Sequence, residues 1–569
     1  MIKITGGSDA PSEPVYLAVS GDMRRMDEDA VKRQKISYSD LMEKAAQSVF
    51  DWITAQSLKP PEMRGISAAT ILCGAGNNGG DGYVLARLFG ESKNNKTSVT
   101  VLNIFGEPPK SEAALAQYDK LTGIIDKNKS GNIKILKCSG LSDENLQDIL
   151  RRSDIIIDAA FGTGFKGGLE GEARRVIKLA NGVVTDANRA GITKIAIDVP
   201  SGTDCDTGRA DINSFKADFT LTFEFIKRGL VSYPAAEYAG VIAVLHIGFT
   251  KETKNILINS LNSINNPNNQ NKSVLLSRDY IKGLFESQVS QAHRRTGNTN
   301  KGDFGRLLAV CGSKNMTGAA YFAAMGALRT GVGLLYLASD IKAVPVLQSK
   351  LNEPVFVPVD YNMREENIKI LSGIPANAVL IGPGLGLENG REIINILSRL
   401  INTQNPPKTI IFDADGINAL CGNINILREV KAEKILTPHP GEMARLCKAA
   451  GFEINSPAGV QSDRIHLAVD FAEKYNCVLV LKGAGTVIAV QNGDVYINNT
   501  GNPGMSKGGS GDILAGMIAS YCAQGTEVAE AACLAVYFHG LAGDIAAERY
   551  SETGMLPSDM LNIIAEIQK

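Results

Sequence analysis

Short apolar runs rich in valine, isoleucine and leucine recur along the chain, and most of them end at or just before glycine or aspartate. Ala69–Cys73, Ile155–Asp158 and Ile410–Asp413 are examples, and stretches with helical spacing of apolar residues lie between such runs. Continuous apolar runs of this length are typical of parallel strands that are buried on both faces. Their alternation with helices predicts doubly wound α/β domains with three layers, helix on sheet on helix.

The pattern is interrupted between Asn255 and Asn271, where eight asparagines occur and apolar residues are too few to form a core face. This composition is typical of a linker. We therefore predict one domain over residues 1–250, an asparagine-rich linker over 251–272, and a second domain over 273–569. The length of 569 residues accommodates two large α/β domains.

Composition excludes several classes of protein. The 59 lysines and arginines nearly balance 60 aspartates and glutamates, so no strong field attracts the chain to nucleic acid or to an anionic membrane. The nine cysteines are scattered and never spaced Cys-x-x-Cys, which argues against a disulfide framework or a zinc site. No apolar stretch reaches about 18 residues, and Met1–Ala10 lacks the pattern of a signal peptide. We expect a cytoplasmic protein.

In the first half, the segment Gly74–Gly82 follows an apolar strand and precedes a helix predicted from Tyr83. Glycines allow backbone N–H groups to approach an anion, and the start of a helix adds positive potential, so the loop suits a phosphate. A tight connection between strand and helix is the alternative interpretation of such a turn. Ligands in open α/β sheets lie at the carboxyl ends of strands, where this segment is placed.

Two further strand ends carry oxygen-bearing side chains, with Asp158 after one strand and Asp198 and Ser201 after another. A single aspartate in this position is often only a helix cap or turn residue. Together with Asn78, however, these side chains would converge on one crevice as ligands of a hard cation and as an acid or base. We favour one site over unrelated caps.

The segments GAGNNGGDG, DAAFGTGFKGG and IDVPSGTD, in this order, resemble the N-terminal epimerase domain of NAD(P)H-hydrate repair enzymes over residues 10–250. The resemblance implies a potassium ion held by Asn78, Asp158 and Ser201. It implies substrate contacts by Asn77, Asn78, Gly79, Gly80, Asp81, Gly162, Thr163, Gly164, Phe165, Lys166, Gly167, Gly168 and Asp198. Ala75 stands where family members often have proline. Lys166 is either a solvated surface charge or a phosphate contact.

Epimerisation inverts the hydroxyl-bearing carbon of a hydrated nicotinamide ring, either by ring opening or by loss and return of hydroxide. Both routes need proton transfer beside that carbon. An aspartate in a partly desolvated pocket performs such a transfer, so we assign Asp198 as the catalytic acid or base.

In the second half, five strand ends carry polar or glycine-rich residues, so these residues share one side of the predicted parallel sheet. The residues are Cys311–Ser313, Gly382–Gly386, Asp413 with Asp415, His439–Glu442 and Lys482–Thr486. His439 is either a buried core histidine or a ligand contact, and we favour contact because it lies between two prolines. For Glu442 we favour a helix-capping role. Asp413 and Asp415 are candidates that orient other site residues.

The segment Gly501–Asp512 is the strongest chemical signal, because Gly508–Gly511 precede an apolar helix predicted over Ile513–Tyr521. Exposed N–H groups and the helix dipole form a cradle for the charge on a transferring phosphoryl group. Asp512 then accepts the proton of an attacking hydroxyl. Helix N-capping is the alternative role of Asp512.

The segments KGDFGRLLAVCGS, GPGLG, TPHPGE, KGAGT and GNPGMSKGGSGD resemble the nucleotide-dependent NAD(P)H-hydrate dehydratases of the ribokinase-like superfamily, from about Asn300 to Lys569. The phosphate loop of the Walker type is absent from the sequence. The resemblance implies nucleotide binding by Lys482, Gly483, Ala484, Gly485, Thr486 and Gly511, and contacts to the hydrated cofactor by Ala319, Gly384, His439 and Asp512. Asn300 stands where family members often have histidine.

Both resemblances together imply a bifunctional enzyme, with a Rossmann-like epimerase domain followed by a ribokinase-like dehydratase domain. Its substrates would be hydrated NADH and NADPH (NADHX and NADPHX), with K⁺ in the first domain and Mg²⁺ with ADP or ATP in the second. Family similarity favours ADP and a homo-oligomer. The alternative is a ribokinase-like small-molecule kinase that carries an N-terminal nucleotide- or partner-binding module.

Overall fold

The computed structural model describes residues 4–5, 14–56, 66–92, 97–128, 132–183, 191–262, 272–287, 298–360, 364–386, 394–398 and 406–568. Two compact units divide the chain, one formed mainly by residues 16–270 and the other mainly by residues 271–569. All nine cysteines are free, and eight of them are buried.

The first unit contains an eight-stranded parallel sheet in the order β1-β9-β8-β7-β6-β3-β4-β5. The strands are β1 (Ile4–Thr5), β3 (Ala68–Cys73), β4 (Ser98–Asn103), β5 (Ile133–Lys137), β6 (Ile155–Ala159), β7 (Thr193–Ile197), β8 (Phe219–Phe223) and β9 (Val241–Leu245). The short strand β2 (Val15–Tyr16) is not part of this sheet. From β3 the chain winds outward through β4 and β5 and then returns to β6 on the other side. The strand order therefore reverses between β3 and β6, where ligands bind in doubly wound sheets.

Helices cover both faces of this sheet, so neighbouring residues of one strand pack into two different apolar cores. Ile71 packs in one apolar cluster and the adjacent Leu72 in the other. The helices are Ser20–Gln34, Tyr38–Gln56, Asn77–Glu91, Glu112–Asn128, Asp143–Arg151, Gly171–Asn181, Ala236–Ala239 and Lys251–Asn262. The predicted three-layer fold of the first domain is confirmed.

The prediction of a linker over 251–272 is wrong for its first part. Lys251–Asn262 is a helix of the first unit, with Leu257 fully buried and the Thr253 hydroxyl 2.9 Å from an Asp29 carboxylate oxygen. Thr253 and Leu257 lie one helical turn apart on the inward face, a pattern that the asparagine-rich composition masks. Residues 263–271 of the predicted linker lie outside the described part of the chain.

The second unit also contains a largely parallel sheet, in the order β13-β12-β11-β14-β15-β16-β17-β18-β19-β10. Its strands are β10 (Ser273–Leu276), β11 (Arg306–Val310), β12 (Leu334–Asp340), β13 (Val355–Val359), β14 (Ala378–Ile381), β15 (Thr409–Phe412), β16 (Glu433–Leu436), β17 (Val478–Leu481), β18 (Val487–Ala489) and β19 (Val495–Asn498). β18 is antiparallel to both neighbours. The strand order reverses between β11 and β14, and the five predicted strand ends belong to neighbouring strands from β11 to β17.

The helices of the second unit enclose this sheet. They are Arg278–Phe285, Thr317–Arg329, Val344–Gln348, Arg364–Ser372, Asp415–Leu420, Ile426–Glu429, Pro440–Ala450, Pro457–Ser462, Arg464–Tyr475, Ser510–Ala523, Val528–Gly554 and Pro557–Ile567. Two of them cross very closely, because a Cβ atom at Gly516 would lie 2.1 Å from the Ala323 carbonyl oxygen. This glycine allows the helix Ser510–Ala523 to pack closely against the helix Thr317–Arg329.

By length and composition, the helix Val528–Gly554 is long and apolar enough to cross a membrane. The sequence pattern had predicted no such segment. However, 78% of its most apolar window is buried inside the protein. Its alanines, together with Leu534 and Phe538, belong to the apolar core of the second unit. A core helix therefore accounts for its composition.

Two helical glycines of the first unit are expected to respond oppositely to replacement by alanine. A Cβ atom at Gly82 would lie 2.7 Å from the Cys73 sulfur and 2.9 Å from the Ala159 methyl, whereas one at Gly123 would meet nothing within 4 Å. Gly82→Ala should lower the free energy of unfolding by about 1–3 kcal/mol through overpacking. Gly123→Ala should leave it unchanged or raise it by about 0.5–1 kcal/mol. Calorimetric unfolding of the full chain measures both, and equal shifts would contradict this packing.

Candidate active sites

A cavity of about 1170 Å³ opens in the first unit at the carboxyl ends of β3, β6 and β7. It lies at the position where the strand order reverses. Ten of the predicted site residues line it: Asn77, Asn78, Asp81, Gly162, Thr163, Gly164, Phe165, Lys166, Gly168 and Asp198. The structure thus brings together residues from three separate sequence motifs.

The predicted glycine loop is shorter than expected, since the helix begins at Asn77 and not at Tyr83. Gly79 and Gly80 belong to its first turns, where they pack against the Gly74 backbone and the Met42 side chain. Neither of them lines the cavity, and Gly167 does not line it either. The glycines of this motif therefore serve close packing as well as ligand access, and the helix start itself faces the cavity.

The three predicted metal ligands are connected by hydrogen bonds: Asp158 and Ser201 bond directly to each other, and the Phe161 backbone links Ser201 to Asn78. The Ser201 hydroxyl donates to Asp158 Oδ1 at 2.7 Å, and the Ser201 N–H donates to Asp158 Oδ2 at 2.7 Å. The Asn78 amide donates to the carbonyl oxygens of Phe161, at 2.9 Å, and of Ile197, at 3.3 Å. Burial raises the pKa of Asp158 to about 6, although the hydrogen bonds from Ser201 oppose this shift.

Asp198 follows β7 with a φ of 66°, in the left-handed region that non-glycine residues rarely adopt. Its carboxylate lies 2.5 Å from Lys227 Nζ, and the lysine side chain is only 1% exposed. Lys227 also donates to the Thr222 hydroxyl at 3.1 Å and the Phe223 carbonyl at 3.0 Å. The ammonium group is thus fully engaged and holds the Asp198 carboxylate in the cavity wall.

Two further carboxyl groups face this ion pair. Burial raises the pKa of Asp81 well above its usual value, and the charges of Asp198 and Asp27 add to this effect. Burial also raises the pKa of Asp27 to about 7, with Lys227 opposing and Asp198 reinforcing the shift. Asp27 belongs to the helix Ser20–Gln34 and lines the same cavity. Asp27 is therefore able to carry a proton at neutral pH, and burial also favours the protonated form of Asp81.

Lys166 lines the cavity at its edge with a side chain that is 50% exposed, and its role as a surface charge or a phosphate contact stays a prediction. Its ammonium group lies 2.7 Å from Asp204 Oδ1 and 2.9 Å from Asp206 Oδ2, at the edge of the cavity. Two ion pairs raise its pKa against the opposing effect of burial. Asp204, Cys205 and Asp206 have the spacing of a small metal-binding cluster, but Lys166 already compensates both carboxylates.

In the second unit, the residues at the reversal of strand order also touch. The Gly312 N–H donates to the Pro383 carbonyl at 2.7 Å, which joins the loops after β11 and β14. Gly384 has a φ of 66°, and a Cβ atom there would lie 2.8 Å from the Ala319 Cβ. The structure therefore places the predicted contacts Ala319 and Gly384 side by side.

The helix that follows the predicted phosphoryl cradle begins at Ser510, about one turn before the predicted start at Ile513. Its N-cap is Gly509, which has a φ of 104°. Asp512 lies in the first turn, so its predicted alternative role as the N-cap is wrong. Burial raises the pKa of Asp512 to about 7, and the charge of Asp413 adds to the effect while Lys482 opposes it. The group exchanges its proton near neutrality.

Lys482 follows β17 and connects the predicted nucleotide loop to this cradle. Its ammonium group lies 2.7 Å from Asp413 Oδ1, which also accepts a hydrogen bond of 2.7 Å from the Thr437 hydroxyl. Burial would lower the pKa of Lys482, but the carboxylates of Asp413 and Glu442 raise it. A Cβ atom at Gly511 would lie 3.4 Å from this ammonium group. Asp413 thus orients Lys482, as predicted for a supporting residue.

A buried arginine that the sequence analysis missed supports the loop Lys482–Thr486. Arg464 donates to the Leu481 carbonyl at 2.9 Å and to the Lys482 carbonyl at 3.3 Å. Burial lowers the pKa of Arg464 to about 10. The loop needs glycine conformations, with φ values of 136° at Gly483 and 58° at Gly485. Arg464 begins the helix Arg464–Tyr475, and its position in sequence offers no signal of this contact.

His439 and Glu442 form a capping box at the start of the helix Pro440–Ala450. Glu442 accepts the His439 N–H at 2.9 Å, which confirms its predicted capping role. The His439 side chain is 52% exposed, so it is not a buried core histidine. Burial lowers its pKa, and Glu442 opposes this shift. The imidazole is therefore available at the edge of the site.

Comparisons with known proteins cover both units. The family described as YjeF-related protein N-terminus matches residues 38–229, and the family described as NAD(P)H-hydrate dehydratase matches residues 307–566. The "Bifunctional NAD(P)H-hydrate repair enzyme Nnr" of Moorella thermoacetica is 34% identical, over 97% of this chain and 96% of that protein. The Escherichia coli protein with the same name is 30% identical over 98% of this chain and 94% of its own length.

A similar solved structure is the ADP/ATP-dependent NAD(P)H-hydrate dehydratase from Bacillus subtilis, co-crystallised with ATP and Mg²⁺. It is 27% identical, with a TM-score of 0.42, and the match covers 51% of this chain and 97% of that one.

Removing one partner of the buried pair of Lys227 and Asp198 should destabilise the first unit. Lys227→Met should lower the free energy of unfolding by about 3–5 kcal/mol, since it leaves a carboxylate without its compensating charge. The double variant Lys227→Met with Asp198→Asn should lose less than Lys227→Met alone, because both charges are removed together. Denaturant unfolding of the two single variants and the double variant measures the coupling. Additive losses would contradict the pairing.

Proposed function

Because the chain belongs to the family of bifunctional NAD(P)H-hydrate repair enzymes, we propose that it restores hydrated NADH and NADPH in two steps. The first unit interconverts the R and S epimers of NAD(P)HX. The second unit dehydrates the S epimer to NAD(P)H at the expense of ADP, giving AMP and phosphate. Free and largely buried thiols support a cytoplasmic location for both reactions.

The observation that carries this proposal is that each unit has an aspartate near the position where the strand order of its sheet reverses, and we propose both aspartates as proton-transfer groups. In the first unit Asp198 lies in a cavity wall beside Lys227. In the second unit Asp512 lies at a helix start beside the nucleotide loop of Lys482. Two separate acid–base centres fit two consecutive reactions on one substrate better than a single phosphoryl transfer with a binding module.

A potassium ion in the first unit is part of the proposal. Asn78, Asp158 and Ser201 offer one carboxylate and otherwise neutral oxygen atoms, and the Phe161 and Ile197 carbonyls converge on Asn78. Hard cations prefer oxygen ligands, and a single negative charge suits a monovalent ion. Such an ion would order the loops that bear Gly162 and Asp198, and it would attract the pyrophosphate of the substrate.

In the second unit, Asp512 would remove the proton of the ring hydroxyl, which then attacks the terminal phosphoryl group of the nucleotide. Hydroxide is a poor leaving group and phosphate is a good one, so the phosphorylated ring expels phosphate with help from the ring nitrogen. Lys482 and the N–H groups at the start of Ser510–Ala523 would stabilise the charge on the transferring group.

Magnesium is proposed to enter with the nucleotide, as is usual in phosphoryl transfer. The carboxylates of Asp413, Glu442 and Asp512 interact with one another and with Lys482, so they supply oxygen atoms near the proposed phosphate position. When held near these carboxylates, the ion would supply positive charge that neutralises the phosphates of the nucleotide.

The epimerase step is tested with purified single epimers of NADHX in the absence of nucleotide. Wild-type protein should interconvert them, and Asp198→Ala should reduce the rate by about 100-fold or more, since one proton-transfer group is lost. Substrate binding and the melting temperature serve as controls. Replacing K⁺ by a bulky organic cation should slow the wild-type reaction. Unchanged interconversion in Asp198→Ala would defeat the assignment of Asp198.

The dehydratase step is tested by recovery of reduced-nicotinamide absorbance from the S epimer with ADP or ATP. Asp512→Asn should abolish recovery without abolishing nucleotide binding, while Asp470→Asn, at an exposed helix position, should not change it. Because the pKa of Asp512 is raised to about 7 and the base form is active, wild-type kcat/KM should increase as pH rises through 7. Retained turnover in Asp512→Asn, or a stable phosphorylated product, would contradict the mechanism.

A further inference from the structure

Among the charged residues that line the cavity of the first unit, Asp27, Asp81, Asp198 and Lys227 form one group whose charges influence one another. If every member of this group were ionised, its three carboxylates would share a single ammonium group. Charge in a space withdrawn from water is costly, and protonation of a carboxylate relieves it most directly. Since Lys227 is paired with Asp198, protonation of Asp27 or Asp81 relieves the charge that remains in this group.

Asp27 differs from the other aspartates on its own helix, Ser20–Gln34. Asp22 closes the capping box of that helix and pairs with Arg25 at 2.7 Å. Asp29 pairs with Arg33 at 2.7 Å and accepts the Thr253 hydroxyl. Within the described part of the chain, no comparable hydrogen bond anchors the carboxyl group of Asp27, which is directed to the cavity instead. A structural role therefore explains its two neighbours but not Asp27.

The charges around Asp27 favour its protonated form. Lys227 faces it from the segment after β8 and attracts the carboxylate, whereas Asp198 from the end of β7 and Glu28 from its own helix repel it. Asp81, on the helix Asn77–Glu91, also interacts with Asp27. Burial is the largest influence, so the acid form persists to about pH 7. A neutral acid thus faces the same cavity as the ion-paired Asp198.

We propose that Asp27 is the second proton-transfer residue of the epimerase and works as the acid opposite Asp198. The inference rests on the proposed function of the first unit and adds to it the group that handles the second proton. One base alone is insufficient, because opening the hydrated ring removes a proton from oxygen and adds another to nitrogen.

The proposed step balances with these two residues. Asp198 takes the hydroxyl proton, the O–H electron pair forms a carbonyl bond, and the bond between this carbon and the ring nitrogen breaks. The electron pair of that bond stays on nitrogen, which takes the proton of Asp27. After rotation of the aldehyde group the sequence reverses on its other face, so nitrogen returns a proton to Asp27 and Asp198 reprotonates the oxygen. Both residues regain their starting states and no co-reactant is consumed.

The test compares Asp27→Asn, Asp27→Glu and the exposed control Asp51→Asn in the full-length protein, with single NADHX epimers and no nucleotide. Asp27→Asn should lose about 100-fold or more in epimerisation rate, the usual contribution of general acid catalysis. Wild-type kcat/KM should fall as pH rises above about 7, because Asp27 loses its proton there, and this fall should be absent in Asp27→Asn. Asp51→Asn should match the wild type.

Asp27→Glu keeps a carboxyl group and decides the matter if the asparagine variant does not fold, as judged by its melting transition. It should retain part of the activity, with an alkaline fall displaced from that of the wild type. Wild-type rate and pH profile in Asp27→Asn, or an unmoved alkaline fall in Asp27→Glu, would overturn the role of Asp27. Absence of any epimerisation by the wild type would instead contradict the proposed function itself.

Discussion

Both sites depend on direct backbone contact between loops at the position where the strand order of each sheet reverses. A Cβ atom at Gly74 would lie 1.8 Å from the Ala160 carbonyl oxygen, and one at Gly382 would lie 1.7 Å from the Asp413 carbonyl oxygen. Only glycine permits such an approach. In the first unit it brings the Asn78 helix start against the loop after Asp158, and in the second it brings the loop after β14 against the one that carries Asp413. The functional side chains meet because these loops touch.

Each unit also buries a lysine–aspartate pair next to additional carboxyl groups. Lys227 lies 2.5 Å from Asp198, and Lys482 lies 2.7 Å from Asp413. Such pairs contribute little net stability, since desolvation of both charges offsets their attraction. Their effect is local: burial raises the pKa of a neighbouring carboxyl group, Asp81 or Asp512, and the charge of the lysine-paired aspartate adds to the shift. The same arrangement therefore gives each unit a buried aspartate with a raised pKa.

The sequence predicted the strand ends and their convergence, because apolar runs followed by polar residues are a local signal. It placed the two helix starts too late, at Tyr83 and Ile513, since glycine has a low helix propensity while tertiary packing here requires it. Lys227 and Arg464 were missed because their partners are distant in sequence. Lys227 follows the end of β8, as Asp198 follows β7, so the strand-end pattern contained a signal for it. Arg464 and Asp27 lie on helices and had none.

Asp27 and Asp512, the two aspartates that are proposed for proton transfer and have raised pKa values, need opposite protonation states. Burial brings the pKa of both Asp27 and Asp512 to about 7. The inferred acid role of Asp27 requires its protonated form, whereas the proposed base role of Asp512 requires its ionised form. The two steps act in series on one pool of substrate, because a stereospecific dehydratase consumes one epimer and depends on the epimerase for the other. With these proposed roles, the supply of the reactive epimer limits repair above neutral pH, and the dehydration step limits repair below neutral pH. The combined flux from a mixture of epimers is therefore greatest where Asp27 and Asp512 are both about half protonated.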